Sequence, residues 1–199
     1  MNLRSGFPEL PVSMPAVKYD GGYKMELQKQ YHEFPPVYDE TSEILILGSF
    51  PSVKSREVQF FYGHPQNRFW KLLARLLKSS VPESIEEKKH LLLTHHIALW
   101  DVIASCEISG SSDSSIRNVV PNDISYIIER SCIKKVFANG GKAKQLYDRY
   151  LTQKTGLAAE LLPSTSPANA SYSLDRLAKH WEIILSFLSN TERDSSLRS

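Results

Sequence analysis

A tract in the first half of the chain, FFYGHPQNRFW at residues 60–70, holds aromatic and amide side chains that could bind a planar ligand. Three consecutive aromatic residues cannot all face one core, so we expect Tyr62, or otherwise Phe61, to face a pocket. A ring in that position can stack on a nucleobase with a free energy of about 1–3 kcal/mol. Asn67 stands where a helix is expected to begin, so its carboxamide could either cap that helix or contact the ligand.

The segment GSFPS at residues 48–52 follows an apolar run and could contribute backbone donors. Gly48 permits a tight turn and Pro51 fixes the direction in which the chain leaves it. Such a turn can present N–H groups to an acceptor on a ligand. An ordinary turn from a strand into a loop would have the same sequence.

The segment PSTSPANA at residues 163–170 predicts a thin, stiff loop, because small hydroxyl residues alternate there with two prolines. A loop of this kind can enter a DNA groove, where its hydroxyl and N–H groups can bind phosphates. The alternative is a surface turn before the last helix.

Further polar groups follow other apolar runs. Lys142 comes at a glycine-rich helix start, which suits a phosphate, although the segment matches neither the Walker A spacing nor GxGxxG. Asp101 could be a carboxylate in a cleft or a loop carboxylate with local partners. The nearby residues His90, His95 and His96 have no further ligand pattern, so we expect no metal site.

Four apolar runs precede these segments and predict strands: Ile44–Gly48, Ile97–Ile103, Ile133–Ala138 and Ala159–Ser164. Helical periods lie at 69–77, 143–151 and 174–188, with shorter candidates at 84–95 and 122–131. This alternation predicts an α/β fold with three α/β/α layers and a central, mostly parallel four-stranded sheet. Ligands of such sheets bind at the carboxyl ends of the strands, where the loops above should meet.

Composition narrows the class of protein. A formal net charge of +2 over 199 residues argues against a polycation that coats nucleic acid, but allows a local basic groove. Cys106 and Cys132 lack metal-binding spacing and are expected to be reduced thiols. No apolar run could span a bilayer or serve as a signal segment, which predicts a cytoplasmic protein, or a nuclear one in a eukaryotic cell.

We expect three parts along the chain. Residues 1–33 are predicted to be a flexible extension, with Met25 as the hypothetical native start. Residues 34–189 form the predicted domain. Residues 190–199 are polar and predicted to be a disordered tail.

Together these segments resemble the uracil-DNA glycosylase superfamily, and most closely its hypoxanthine-DNA (deoxyinosine) glycosylases. Gly48-Ser49-Phe50-Pro51 has the glycine-x-x-proline form of the first superfamily motif. The tract HPQNRFW at 64–70 is similar to the HPxNRFW tract of the mismatch-specific uracil glycosylases and lies at the same distance from the glycine. The loop STSPAN at 164–169 corresponds to the second motif, and the resemblance runs from about Phe34 to Leu188.

Departures from these motifs favour the hypoxanthine group over a fast, general uracil enzyme. Phe50 stands where the mismatch-specific enzymes have an asparagine, and a phenylalanine cannot hold a water. The catalytic amide of the hypoxanthine family is similar in placement to Asn67. Ser164 replaces the His or Asn that usually begins the second motif, and Ala168 replaces its leucine wedge.

The resemblance implies a monofunctional DNA-deoxyinosine glycosylase of base excision repair, acting as a monomer on DNA with a deaminated base. It implies no metal and no organic cofactor. The expected catalytic residues are Asn67 and Ser164, and the expected base-binding residues are Ser49, Phe50, Tyr62 and Phe61. The expected DNA contacts are Lys142, Thr165, Ser166, Pro167, Ala168 and Asn169. The alternatives are a mismatch-specific uracil or thymine glycosylase, a non-catalytic module that binds damaged or single-stranded DNA, and an unrelated α/β hydrolase of small nucleotides or nucleosides.

Overall fold

The computed structural model describes residues 27–109 and 113–189, and the strands in this part of the chain form two sheets. The strands are β1 Gln28–Tyr31, β2 Ile44–Gly48, β3 Ile97–Asp101, β4 Ile103–Ile108, β5 Arg117–Pro121, β6 Lys135–Asn139 and β7 Ala159–Leu162. One sheet has the order β3-β2-β6-β7, and every neighbouring pair in it is parallel. This confirms the predicted central four-stranded sheet.

Helices lie between the parallel strands and after the last of them: α1 Val53–Glu57, α2 Phe69–Leu76, α3 Ile85–Thr94, α4 Ser125–Ile128, α5 Gly141–Tyr150, α6 Thr152–Thr155 and α7 Leu174–Trp181. Helix α3 begins with a capping box, in which Ser84 and Glu87 satisfy each other's backbone N–H groups. Helix α7 begins at Ser173, whose side chain accepts the N–H of Arg176. Short polar side chains thus set the starts of these two helices.

Helices cover both faces of the parallel sheet, because side chains along β2 alternate between its two sides. Ile44 and Ile46 pack with residues of α2, α3 and α7 in one layer. Leu45 and Leu47 pack with residues of α4 and α5 in the other. All four side chains are fully buried, so the fold is the predicted three-layer α/β/α arrangement.

The second sheet, with the order β1-β4-β5, is antiparallel and is absent from the sequence prediction. The run Ile97–Ile103, predicted as one strand, leaves the parallel sheet after Asp101 and continues through Val102 into β4. Strand β1 has the sequence QKQY and is mostly exposed, so it carries no alternation of apolar residues that could reveal it.

Strand β1 lies within the segment 1–33 that the sequence predicts as an extension. His32 continues its pairing by donating its N–H to the Ala104 carbonyl at 2.8 Å. Met25 and the predicted tail at 190–199 lie outside the described residues. Among the helices of the described ranges, none is both long and apolar enough to cross a membrane.

Candidate active site

A cleft of about 330 Å³ opens at the carboxyl ends of the parallel strands. Its walls come from the loop 48–52, the tract 60–70, the ends of β3 and β6, and the loop 163–170. The volume lies within the range of about 300–1,000 Å³ that is typical of small-molecule pockets. The parallel topology therefore brings together segments from both ends of the domain, as the strand order predicts.

Asn67 lines this cleft and lies two residues before helix α2. Its Oδ1 accepts a hydrogen bond from the N–H of Phe69 at 3.0 Å, so the side chain supports the start of the helix. The capping and the ligand-binding interpretations therefore both fit this residue. Because Oδ1 is engaged, the NH₂ group is the part of the carboxamide that has no partner among the described residues.

Arg68 ties the tract 60–70 to the loop 163–170. Its guanidinium donates to the backbone carbonyls of Thr165, Ser166, Asn169 and Tyr172. Its backbone N–H also donates to the Thr165 carbonyl at 3.1 Å. A single side chain thus fixes the loop 163–170 next to Asn67.

Tyr62 supplies an aromatic ring to the cleft wall. The ring stacks on Phe69 with centroids 4.0 Å apart and an interplanar angle of 28°. Its φ of +52° lies in the left-handed region, which bulky residues rarely adopt and which surrounding contacts must hold in place. Phe61 also lines the cleft but is only 2% exposed and packs edge-on against Phe34. Tyr62 is therefore the more exposed of the two candidate stacking residues.

Asp101 ends strand β3 in the cleft and is only 4% exposed. Its Oδ2 lies 2.9 Å from Nε2 of His32, whose side chain is 1% exposed. Burial, followed by the negative charge of Asp101, raises the pKa of Tyr62, and the nearby side chain of Asn139 opposes that rise. The Tyr62 hydroxyl stays protonated and has no hydrogen bond of ordinary geometry within the described residues.

Gly48 and Asp101 are partners in the parallel register of β2 and β3, and their close approach makes a testable prediction. A Cβ on Gly48 would lie 2.1 Å from Asp101 Oδ1 and 3.2 Å from the Tyr62 hydroxyl, so the carboxylate would have to move. We expect Gly48→Ala to lower the free energy of unfolding by about 1–3 kcal/mol, measured by chemical denaturation. Gly141→Ala is the matched control, because a Cβ there meets nothing within 4 Å. Equal effects of the two substitutions would contradict this packing.

The loop 163–170 is held from inside the protein. Thr165 is fully buried and exchanges two hydrogen bonds with Asn139: its N–H donates to Oδ1 and its hydroxyl accepts from Nδ2, both at 3.0 Å. Asn169 donates from Nδ2 to the Ser164 carbonyl at 2.9 Å. The side chain of Thr165, predicted to contact DNA, is therefore engaged within the protein instead of facing outwards.

The remaining predicted residues of this region divide between the cleft and the surface. Ser164 and Ser166 line the cleft, and Ser164 Oγ accepts the N–H of Ser166 at 3.2 Å. Pro167 and Ala168 are exposed, and Ala168 also lines the cleft. Lys142 lies on α5 and is not part of the cleft wall. Ser49 and Phe50 line the cleft as well.

Three residues that shape the site received no individual role from the sequence: His32, Arg68 and Asn139. Arg68 belongs to the specific tract HPQNRFW, which was the available signal for it. Asn139 ends a buried strand, and a polar residue there is itself a signal in a parallel sheet. His32 lies in a polar segment with no periodicity, so nothing in the sequence pointed to its contact with Asp101.

Comparison with known proteins finds relatives whose names all describe DNA glycosylases. A sequence model of the "Uracil DNA glycosylase superfamily" matches residues 35–188. The chain is 39% identical over 153 residues to a protein of Methanosarcina acetivorans named "Hypoxanthine DNA glycosylase", covering 76% of this chain and 95% of that one. It is 36% identical over 138 residues to a protein of the same name from Methanosarcina barkeri, covering 68% and 86%.

The fold is similar to a solution NMR structure of a protein from Methanosarcina acetivorans described as a candidate uracil DNA glycosylase. The TM-score is 0.66 and the sequence identity 37%, with 76% of this chain and 93% of that chain covered.

Proposed function

The chain belongs to the uracil DNA glycosylase superfamily, and we propose that it is a DNA-deoxyinosine glycosylase, which hydrolyses the bond between hypoxanthine and deoxyribose. Relatives named hypoxanthine DNA glycosylase, alignable over most of their length, support this substrate. The observation that carries the proposal is that Asn67, Tyr62 and the loop 48–52 line one cleft of suitable volume.

A base inside duplex DNA cannot reach this cleft, so the nucleotide must rotate out of the helix. The cost of this step is lowest at mismatched or damaged pairs, which contributes to selectivity. The exposed tip of the loop 163–170, with Pro167 and Ala168, is the segment proposed to enter the space that the base leaves. The hydrogen bonds of Arg68 and Asn139 to this loop make it stiff enough to do so.

Inside the cleft, Tyr62 is proposed to stack on the base, supported from behind by Phe69. When the glycosidic bond breaks, its electron pair stays on the base and the sugar carbon becomes positive. Donors that are already aimed at the base therefore lower the barrier. The backbone around Ser49 and Phe50 is proposed to supply such donors to the carbonyl oxygen of the base.

Asn67 is proposed to act through its NH₂ group, which has no partner among the described residues, while Oδ1 accepts the N–H of Phe69. This group can donate either to the leaving base or to the oxygen of the water that then attacks the sugar. An amide does not need to remove a proton from a water that attacks a carbocation. Ser164, which also lines the cleft, is proposed to assist through its hydroxyl.

The test is a set of oligonucleotide duplexes that each contain one hypoxanthine, xanthine, uracil or thymine. The protein is added in excess, the DNA is then treated with alkali, and strand breaks are measured over time. We expect a break at hypoxanthine only after alkali, since a monofunctional glycosylase leaves an abasic site. Rapid release of uracil with no release of hypoxanthine would overturn the substrate. Binding without release would indicate a recognition module, and release from free inosine alone would indicate a nucleoside hydrolase.

A further inference from the structure

From the placement of the buried Asp101 beside His32 in the cleft, we infer that Asp101 recognises the lactam N–H of the flipped base and that His32 positions it. This inference rests on the proposed function and names the residue that gives it selectivity. A lactam base such as hypoxanthine carries an N–H next to its carbonyl group. Adenine, an ordinary base that the enzyme must spare, carries an unprotonated ring nitrogen at that position.

The first argument is the burial of a carboxylate in a cleft wall. Asp101 is 4% exposed, and the histidine is the one side chain among the described residues within ion-pair distance of it. Burying a carboxylate costs free energy unless polar groups contact it, and a buried carboxylate in a cleft wall is therefore a candidate for contact with a polar ligand. Within this cleft, a group that only accepts hydrogen bonds selects a ligand that donates one.

The second argument is the environment of His32. Its ring lies among aromatic side chains, with centroid distances of 4.4 Å to Phe34, 5.9 Å to Phe61 and 6.3 Å to Trp100. Its Nδ1 is buried and has no partner among the described residues. A proton on both ring nitrogens would leave a buried donor unpaired, so a neutral ring that donates from Nε2 to Asp101 Oδ2 fits best. In this arrangement Oδ2 of Asp101 accepts the hydrogen bond from Nε2 of His32.

The third argument is that the two oxygens of the Asp101 carboxylate have different neighbours. Oδ2 accepts from His32, and Oδ1 lies against the backbone of Gly48, the residue that opens the base-binding loop. If the carbonyl oxygen of the base accepts from donors of the loop 48–52, the N–H next to that carbonyl points towards the ends of β2 and β3. Asp101 is the last residue of β3. Guanine shares this lactam edge, so its rejection rests on the cost of flipping it from a stable pair and not on Asp101.

Asp101→Asn is the decisive variant because it keeps the shape of the side chain and removes its charge. If His32 continues to donate to the amide oxygen, the NH₂ group becomes the group offered to the base, and two donors then face each other. We expect the rate of hypoxanthine release to fall about 10- to 100-fold, the effect of leaving one buried polar group unpaired. Thermal stability should stay close to that of the native protein, since the amide keeps the shape of the side chain and its oxygen can still accept from His32.

Recognition is separated from chemistry with duplexes that carry 2′-fluoroarabino-inosine or 2′-fluoroarabino-adenosine, which resist cleavage. Each is placed opposite an abasic spacer, so that neither base has to be unpaired. We expect the native protein to bind the inosine duplex at least 10-fold more tightly and Asp101→Asn to bind the two about equally. Asp123→Asn is the control, because Asp123 is an exposed carboxylate that does not line the cleft.

His32 is tested as a positioning residue by a pair of substitutions. We expect His32→Gln, which can still donate a hydrogen bond, to keep most of the preference for inosine, and His32→Leu to lose it. An unchanged preference in Asp101→Asn would overturn the inference, and this measurement stands even if His32→Leu fails to fold. If the native protein releases hypoxanthine while Asp101→Asn keeps its preference, this inference alone fails. If the native protein releases no hypoxanthine, the proposed function fails.

Discussion

Asn67→Ala is expected to lower the single-turnover rate of hypoxanthine release by about 100- to 1,000-fold, as loss of one preorganised donor does in other active sites. The NH₂ group of Asn67 is the part of its side chain left for a ligand, since Oδ1 is bound to the N–H of Phe69. Removing the side chain also removes the partner of that N–H, which costs about 1 kcal/mol of stability. The rate should therefore fall far more than the stability.

Asn67→Ser separates the two roles of the residue. A serine hydroxyl can still accept the N–H of Phe69, as serine does at many helix starts, but it has no NH₂ group. We expect this variant to unfold at nearly the native temperature and to be almost as inactive as the alanine variant. A serine variant with the native rate would show that the amide only supports helix α2.

Arg68→Ala is expected to cause the largest loss of stability among the substitutions considered, about 3 kcal/mol or more. The guanidinium donates to four backbone carbonyls of the loop 163–172, and each hydrogen bond to a charged donor contributes about 1.5–3 kcal/mol when considered singly. For a domain of this size the loss corresponds to a fall in Tm of roughly 6–12 °C, measurable by calorimetry. Activity should fall as well, because the loop no longer has a fixed position beside Asn67.

Arg75→Ala provides the comparison, since it removes an arginine from helix α2, which begins directly after Arg68. Arg75 forms an exposed ion pair with Asp175, and such pairs contribute about 0–1 kcal/mol. Arg68→Lys should resemble Arg68→Ala, because one ammonium group cannot reach four carbonyls at once. A lysine variant of native stability would show that the charge at this position matters and the fork of donors does not.

The parallel sheet and the segments of the cleft could be predicted because each depends on a local pattern. The apolar run Ile44–Gly48 predicts a strand covered on both faces, and the rule for parallel sheets then places Gly48 and Asn139 at the same edge. Asn67 could be predicted as a site residue because it belongs to the specific tract HPQNRFW. The structure places it in the cleft with Tyr62 and Ser164.

The remaining features depend on contacts between distant residues and have no local pattern. The partner of His32 is Asp101, 69 residues further along the chain, and the strand that positions it is polar. The buried Thr165 exchanges a pair of hydrogen bonds with Asn139, 26 residues earlier. From the sequence alone, a hydroxyl residue in a loop is expected to be exposed, because a distant buried partner such as Asn139 cannot be identified. Strand β4 is a further example. The sequence predicts Ile97–Ile103 as one strand, but Ile103 belongs to β4, which pairs with β1 in the antiparallel sheet.

The antiparallel sheet has a practical consequence for anyone who shortens this protein. The segment shared with the superfamily begins at residue 35, whereas the imidazole beside Asp101 is at position 32 and is carried by the pairing of β1 with β4. A gene trimmed to the shared segment would still encode every strand of the parallel sheet. It would leave the carboxylate of Asp101 without its neighbour and expose one edge of β4, so the trimmed product would be a poor guide to how the full chain chooses its base.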